Sequence, residues 1–247
     1  MHRMSVLWSR RPVIIAAATV AVLALVSTGT AVALTAPPSA HVVSLPTAGR
    51  SQATLKIDAS TPLLDVSIGR LPGTLMQVST PDDAPVMPVL SGTAPIVLSL
   101  AYAGSPKSGK AYTVSVVLSS SVKWSLDFAG GTQRTRADLR GGRISGIAVT
   151  AGSDILQVSL PKPTGTLPFL LAGGVTGFQL SLPGGVPVRV MVGGGASYVS
   201  VDNQHLTGVA GGTVLTPPGW SSARTRFDLD ADAGFSRLTV SRWATKS

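Results

Sequence analysis

Past residue 53 the chain alternates between apolar and polar residues with a period of two. "LQVSL" at 156–160, "FQLSL" at 178–182, "YVSV" at 198–201 and "RLTV" at 237–240 are clear examples. Such alternation predicts strands with one buried and one solvated face. The alternating runs recur in longer blocks: "WSLDFAGGTQRTRADL" from Trp124, "IAVTAGSDILQVSLP" from Ile147, "FLLAGGVTGFQLSLP" from Phe169, "VRVMVGGGASYVSVD" from Val188 and "FDLDADAGFSRLTVS" from Phe227. Each block is a short run, a glycine-containing break and a second run. The glycines Gly130, Gly152, Gly173 and Gly194 are spaced 22, 21 and 21 residues apart, and Gly234 follows 40 later, about two periods. Gly212, in "GVAGGTVLTPPGW", falls in that gap.

A repeat near 21 residues predicts a β-solenoid, in which each unit contributes two strands and two corners and hides its apolar side only by stacking. The breaks are expected to be corners where glycine supplies positive φ. Pro161 and Pro183 would close the second strand, because proline cannot donate to the ladder. In-register stacking places Val158, Leu180, Val199 and Leu238 in one inward ladder, and Leu160, Leu182, Val201 and Val240 in another. Gln157 and Gln179, and then Ser159, Ser181, Ser200 and Thr239, would stack outward. An antiparallel β-sandwich of similar hairpins is the alternative. Residues 124–243 carry the regular repeats. Residues 53–123 are less regular and are expected to form first coils or a cap, in one β-repeat domain spanning 53–247.

The pattern changes before residue 53. His2, Arg3, Arg10 and Arg11 precede an uncharged apolar run from Pro12 to Leu34, "PVIIAAATVAVLALVSTGTAVAL". That reads as one apolar helix in residues 1–34, either a signal peptide cleaved after Ala33 or a retained membrane anchor. "SRRPVII" also resembles a twin-arginine export signal. Residues 35–52, rich in Pro, Ser and small residues, read as a linker. The expectation is an extracytoplasmic domain, secreted or membrane-anchored through residues 12–34.

Composition narrows the chemistry. The 247 residues include no Cys, which removes disulfides, thiolate metal sites and cysteine nucleophiles. All eleven acidic residues are aspartate, and with 27 Gly and 18 Pro this disfavours helices. Net charge is +9, of which three units sit in the first eleven residues. The domain is mildly basic, and no nucleic-acid partner is expected.

Candidate sites are few. "GSPKSGKA", Gly104 to Ala111, is one residue from a phosphate-binding loop, but Ala111 replaces the Mg²⁺-holding hydroxyl and a strand follows, so it reads as a hairpin turn. "DLDADAG" offers Asp228, Asp230 and Asp232 as calcium ligands, but its glycine falls one place late and Thr239 occupies the closing position. The reading preferred there is a solvated face, with no metal and no cofactor. "RTRADL" and "RTRFDL" put Arg134 with Arg136, and Arg224 with Arg226, on one strand face each. If those strands are neighbours, the four arginines form an anion-binding face for wall polymer or lipid headgroups. Asp138 and Asp228 are the competing partners. His205 is the only histidine of the β domain and lies in an expected turn, so no Ser-His-Asp or metal cluster is assembled around it. Trp124, Trp220 and Trp243 lie beside strand ends and are expected to cap the core.

The order of "VKWSLDFAGG", "ADLRGG", "VSLPKPTGT", "LPGGVPVRV" and "GGGASYVSVD" resembles the bacterial putative-adhesin, or toast-rack, domains over roughly residues 54–243. The resemblance implies a β-solenoid-like extracytoplasmic or membrane-linked domain with no catalytic residues to carry over. Such domains also form the C-terminal part of accessory proteins of the cell-wall-antibiotic stress response. The expected function is therefore a non-enzymatic, adhesin-like binding or scaffold protein of the envelope, with wall polymer, protein or a second copy of itself as partner. A membrane-tethered regulator of an envelope stress response is the alternative, and a carbohydrate-active β-helix enzyme a remote one.

Overall fold

The computed structural model describes residues 41–105 and 110–244, and within them every regular element is a strand. The apolar segment 12–34 lies outside the described residues, as do residues 106–109 of the phosphate-loop-like stretch; among the described residues no helix is long and apolar enough to cross a membrane.

The first half runs through β1 (Val42–Pro46), β2 (Gln52–Ile57), β3 (Thr61–Gly69), β4 (Thr74–Ser79), β5 (Val86–Ser91), β6 (Ile96–Tyr102), β7 (Thr113–Ser119), β8 (Lys123–Phe128) and β9 (Thr132–Asp138). The second half holds β10 (Arg143–Val149), β11 (Ser153–Ser159), β12 (Thr166–Leu171), β13 (Val175–Pro183), β14 (Val188–Val192), β15 (Ala196–Val201), β16 (Gln204–Val209), β17 (Thr213–Leu215), β18 (Arg226–Ala231) and β19 (Phe235–Trp243). They form two mixed sheets, ten strands in the order β1-β4-β7-β3-β9-β11-β13-β19-β15-β16 and nine in the order β17-β14-β18-β12-β10-β8-β2-β6-β5. Val42–Pro46, inside the stretch expected to be a linker, pairs antiparallel with β4.

The chain winds between the sheets. β8, β10 and β12 stack in parallel in one sheet, and β9, β11 and β13, each reached across a corner, stack in parallel in the other. This solenoid-like winding accounts for the 21-residue period. Chain order and spatial order then part company. The last strand pair, β18–β19, sits between β12–β13 and β14–β15. At the other end β6–β7 lies outside β2–β3. Both ends are closed by antiparallel strands: β4 and β5 at one, β16 and β17 at the other.

The core lies between the sheets. Alternation leaves one side of the inner strands dry, as in β8 and β18, where every second side chain is buried. Phe169 of one sheet meets Phe178 of the other with ring centroids 5.2 Å apart. Trp124 is fully buried, and its Nε1–H donates to the Ser119 carbonyl at 3.0 Å, which removes the cost of burying the indole N–H. Trp124 is thus a core residue.

Two expectations need correction. The inward set is right, but its rungs are not. Val158 pairs with Leu180, and Val199 with Leu238, yet Leu180 lies opposite Val240 while Leu238 lies opposite Phe178. The outward set slips in the same way, with Gln179 opposite Thr239 and Ser181 opposite Ser241. The sequence blocks align on their leading phenylalanines, Phe169 over Phe227, whereas the sheets set Leu167 opposite Phe227 and Phe169 opposite Leu229, so the aligned rungs slip by two on both sides of the corner. A slip of two keeps every side chain on its own face, whereas a slip of one would invert them all.

The second correction concerns the corners. None of Gly130, Gly152, Gly173, Gly194 and Gly234 has positive φ. At the corners, consecutive N–H groups converge on one carbonyl of the neighbouring coil. Ala129 and Gly130 both donate to Ile57, Thr150 and Ala151 to Phe128, and Ala172 and Gly173 to Val149. That pulls backbone against backbone. A Cβ on Gly173 would drive into the Ala151 backbone, and one on Gly130 into Ala59. Close approach, not handedness, demands the glycine.

Asp202, at the β15–β16 turn, receives a two-pronged bond from Arg242 of β19: Nε to Oδ1 at 2.7 Å and Nη2 to Oδ2 at 2.9 Å. Arg242 Nη1 also donates to the Val186 carbonyl at 2.8 Å, so one guanidinium ties three segments together. The hydrogen bond from Arg242 holds the Asp202 carboxyl below its ordinary value, against an opposing effect of burial.

Gly173→Ala should lower stability by roughly 1–3 kcal/mol, the range of overpacking substitutions. Gly152→Ala, whose Cβ would meet only the Gly174 carbonyl at 3.4 Å, should stay near the parent. Thermal melts of the two variants check the ranking; equal melting temperatures would remove the close-approach account. Asp202→Asn should lower Tm at pH 7 by a small amount, since solvent screening keeps such exposed pairs below about 1 kcal/mol. A depressed carboxylate stabilises above its unfolded value of about 3.9 and loses that contribution as pH falls through its folded value. The Tm difference should therefore shrink as the pH is taken below about 4, and a difference that did not shrink on acidification would contradict the ion-pair account.

Candidate functional site

The outer face of the ten-stranded sheet is where parallel register has the most to offer. Because β3, β9, β11, β13 and β19 run side by side in register, their outward residues form rows across the strands. One row is Leu63, Arg134, Ile155, Gly177, Arg237 and Tyr198. The next is Asp65, Arg136, Gln157, Gln179, Thr239 and Ser200. A third runs Ser67, Asp138, Ser159, Ser181 and Ser241. Two shallow depressions of about 440 Å³ and 390 Å³ lie over these rows and share Arg136, Gln157 and Gln179.

The side chains are fixed by one another. Gln157 Nε2 donates to Gln179 Oε1 at 2.8 Å, an amide ladder across neighbouring strands. Arg140 clasps Asp138 through Nε to Oδ1 at 2.8 Å and Nη2 to Oδ2 at 2.6 Å. That hydrogen bond holds the Asp138 carboxyl below its ordinary value, although burial pushes the other way. The Arg237 guanidinium lies 4.5 Å over the Tyr198 ring. Arg134, Arg136 and Arg237 are exposed and form no ion pair among the described residues. Four arginines against Asp65 and Asp138 leave the face positive.

The two arginine pairs do not meet. Arg134 and Arg136 lie on β9 of the ten-stranded sheet, whereas Arg226 begins β18 of the nine-stranded sheet and Arg224 precedes it. The expected four-arginine face is therefore not formed. Both "RTR" strands were legible, but which sheet each joins depends on the inserted last coil. Arg226 has a local task. Its guanidinium lies 4.5 Å over Trp220, with that of Arg189 4.6 Å from the same ring. It also donates to the Ser221 carbonyl at 2.7 Å and to Thr166 Oγ1 at 2.9 Å, pinning the segment before β18 onto the sheet.

The three aspartates differ in their partners. Asp228 takes two 2.8 Å bonds from Arg189. Asp230 stands outward on β18 with its carboxyl pushed up, first by desolvation and then by repulsion from Asp232 and Asp228. Asp232 is at the corner. Among the described residues no group of three or more acidic or histidine side chains is placed to hold a metal ion. His205 is on the edge strand β16, not in a turn, and its Nδ1 is 2.9 Å from Ser200 Oγ.

Arg237, Tyr198 and Gly177 were not singled out by motif. The available signal was a glycine inside an alternating run, "VTGFQLS". Gly177 has neither positive φ nor a crowded Cβ position, since an added Cβ would meet nothing closer than the Asp154 carbonyl at 3.8 Å.

Calcium at millimolar concentration should leave Tm unchanged within about a degree, both for the parent and for the triple Asp228→Asn, Asp230→Asn, Asp232→Asn variant. A calcium-dependent rise in the parent alone would reinstate the site.

No protein-family model matches the sequence, and no curated protein matches it. Among solved structures, a putative cell adhesion protein from Clostridium sporogenes superposes with a TM-score of 0.63 at 14% identity, over 82% of this chain and 98% of that one. A putative adhesin from Bacteroides fragilis covers 82% of this chain and 98% of its own at 10% identity, with a TM-score of 0.24. One from Parabacteroides merdae covers 58% and 77% at 11% identity, with a TM-score of 0.21. Only the first superposition is close enough to argue from, and at that identity it establishes a shared fold. The fold shared with the Clostridium sporogenes putative cell adhesion protein agrees with the fold implied by the resemblance drawn from the glycine and turn motifs.

Proposed function

We propose that this chain is a non-enzymatic, extracytoplasmic binding or scaffold protein of adhesin-like type, which acts at the cell envelope by surface contact. The observation that carries the reading is the outer face of the ten-stranded sheet. Its hydrogen-bonding groups stand in rows at the strand spacing, about 4.8 Å, and do not converge on one reacting atom. Such a face suits an extended partner that is held at many weak points. The basic, apolar N-terminal segment supports export, with the domain either tethered through residues 12–34 or released after Ala33. The fold shared with the Clostridium sporogenes protein fits the same reading.

Fractionation with intact-mass measurement should find the native protein outside the cytoplasm, and it should co-sediment with purified envelopes. Gln157→Ala combined with Gln179→Ala should reduce the sedimented fraction several-fold without lowering Tm by more than a degree or two, since both side chains are outward. Recovery in the cytosol with residues 1–34 intact would sink the reading. Sedimentation unaffected by the double variant would move the contact surface elsewhere.

A further inference from the structure

The outermost of the three rows contains an anomaly. Glycine inside a strand costs roughly 0.5–1 kcal/mol and packs nothing. Gly130 and Gly173 lie outside the strands, at corners where no Cβ would fit. Gly177 has no such reason: it sits in the central strand β13, on the outer face, with room above it. What the missing side chain provides is a flat floor between Ile155 and Arg237. Arg237 is drawn away from that floor onto Tyr198. Arg134 stands at the other end of the same stretch, across Ile155.

Resting on the surface-contact reading above, we infer that this stretch is the seat of a linear uronic-acid polysaccharide lying across the strands, one pyranose ring over Gly177 and its carboxylates toward Arg134, Arg136 and Arg237. Four properties of the face select this ligand. Arg134 and Arg237 are three strand spacings apart, roughly 14 Å, which holds a short run of rings in an extended chain. The strand spacing itself is close to the rise of one pyranose residue in such a polymer, so successive rings meet successive strands. Arginine offers paired N–H groups that match a carboxylate, and these three are not already committed to an aspartate. Beside the floor, the Gln157–Gln179 amide pair uses one N–H and one carbonyl internally and keeps further donors and an acceptor for ring hydroxyls. A polyol phosphate would satisfy the arginines but has no ring to use the floor. A peptide strand would seek unpaired backbone at a sheet edge, not a face whose ladder is already complete.

The test uses the native protein and three linear uronates (polygalacturonate, alginate and hyaluronate), with dextran as a neutral polymer and poly(glycerol phosphate) as a ring-free polyanion. Calorimetry should show binding to at least one uronate that weakens as salt is raised, and none to dextran. Gly177→Thr, a residue suited to a half-exposed strand, should leave Tm unchanged or raised and weaken uronate binding at least tenfold. Arg134→Gln with Arg237→Gln should weaken it at least tenfold by the independent route of charge. Failure to bind all three uronates would overturn the inference, as would parent-like binding by Gly177→Thr. So would equally tight binding of poly(glycerol phosphate) that ignores Gly177. Envelope co-sedimentation of the same proteins separates the two levels. If the parent and Gly177→Thr sediment alike, the uronate seat falls and the surface-contact reading stands. If the parent does not sediment, both fall.

Discussion

Two consecutive backbone N–H groups closing on a single carbonyl of the neighbouring coil is the arrangement everything else depends on. Ile57, Phe128 and Val149 each receive such a pair. A corner would otherwise leave its backbone N–H groups without ladder partners, and each such group that packing covers costs about as much as a lost hydrogen bond. Convergence on one acceptor solves that problem only if the corner backbones touch. Hence Gly130 against Ala59 and Gly173 against Ala151, and hence small residues, Ala129, Ala151 and Ala172, beside them. Because the same clasp recurs coil after coil, it sets the register of the strands on both sides. The in-register rows of the outer face inherit their alignment from it.

The chain-order anomaly follows the same logic. A solenoid grown strictly in sequence would finish with an open parallel edge at each end, a template for aggregation. Here the chain passes β14–β15, turns back through β16 and β17, and slides β18–β19 in behind them. The corner at Gly194 therefore packs against Asp232, Ala233 and Gly234, not against the coil that precedes it in sequence. The other end mirrors this, with β6–β7 outside β2–β3 and β4 and β5 beyond. In the nine-stranded sheet the edges that remain are short or interrupted, with three residues in β17 and Pro88 within β5.

This separates what a sequence can disclose from what it cannot. Faces are local: period two assigned Leu156, Val158, Phe178 and Leu180 to the core and Gln157 and Gln179 to solvent, and burial agrees. Rungs are relational, because aligning the blocks on Phe169 and Phe227 sets Leu180 beside Leu238 where the sheet sets it beside Val240, and a two-residue slip leaves no trace in the pattern. Neighbours are more so. Nothing in "RTRFDL" states that its strand joins the sheet opposite "RTRADL", since that follows from a return path through two capping strands. Why Gly130 and Gly173 stand at corners is not legible in the sequence, because close approach of backbones is invisible until the neighbouring coil is known. In a regular chain, the residue worth noticing is the one the regularity does not require, and the alternation of "VTGFQLS" does not require Gly177.

The architecture also bears on how contact through such a face would work. Side chains on loops must be ordered when a partner binds, and that ordering opposes affinity. Here the outward groups stand on a sheet whose inner face is packed by Phe178, Leu180, Leu238 and Val240. The Gln157–Gln179 amide bond and the Arg237–Tyr198 stack restrict them further. Each contact is modest, but little order has to be imposed, and the contacts repeat at the strand spacing. Length of partner then substitutes for strength of any one bond, so that affinity grows with the number of strands covered. A face of that kind discriminates by spacing and charge rather than by enclosing a ligand. A clasped core can therefore hold a binding surface in place without a deep pocket, and a single missing side chain can decide which partner lies flat on it.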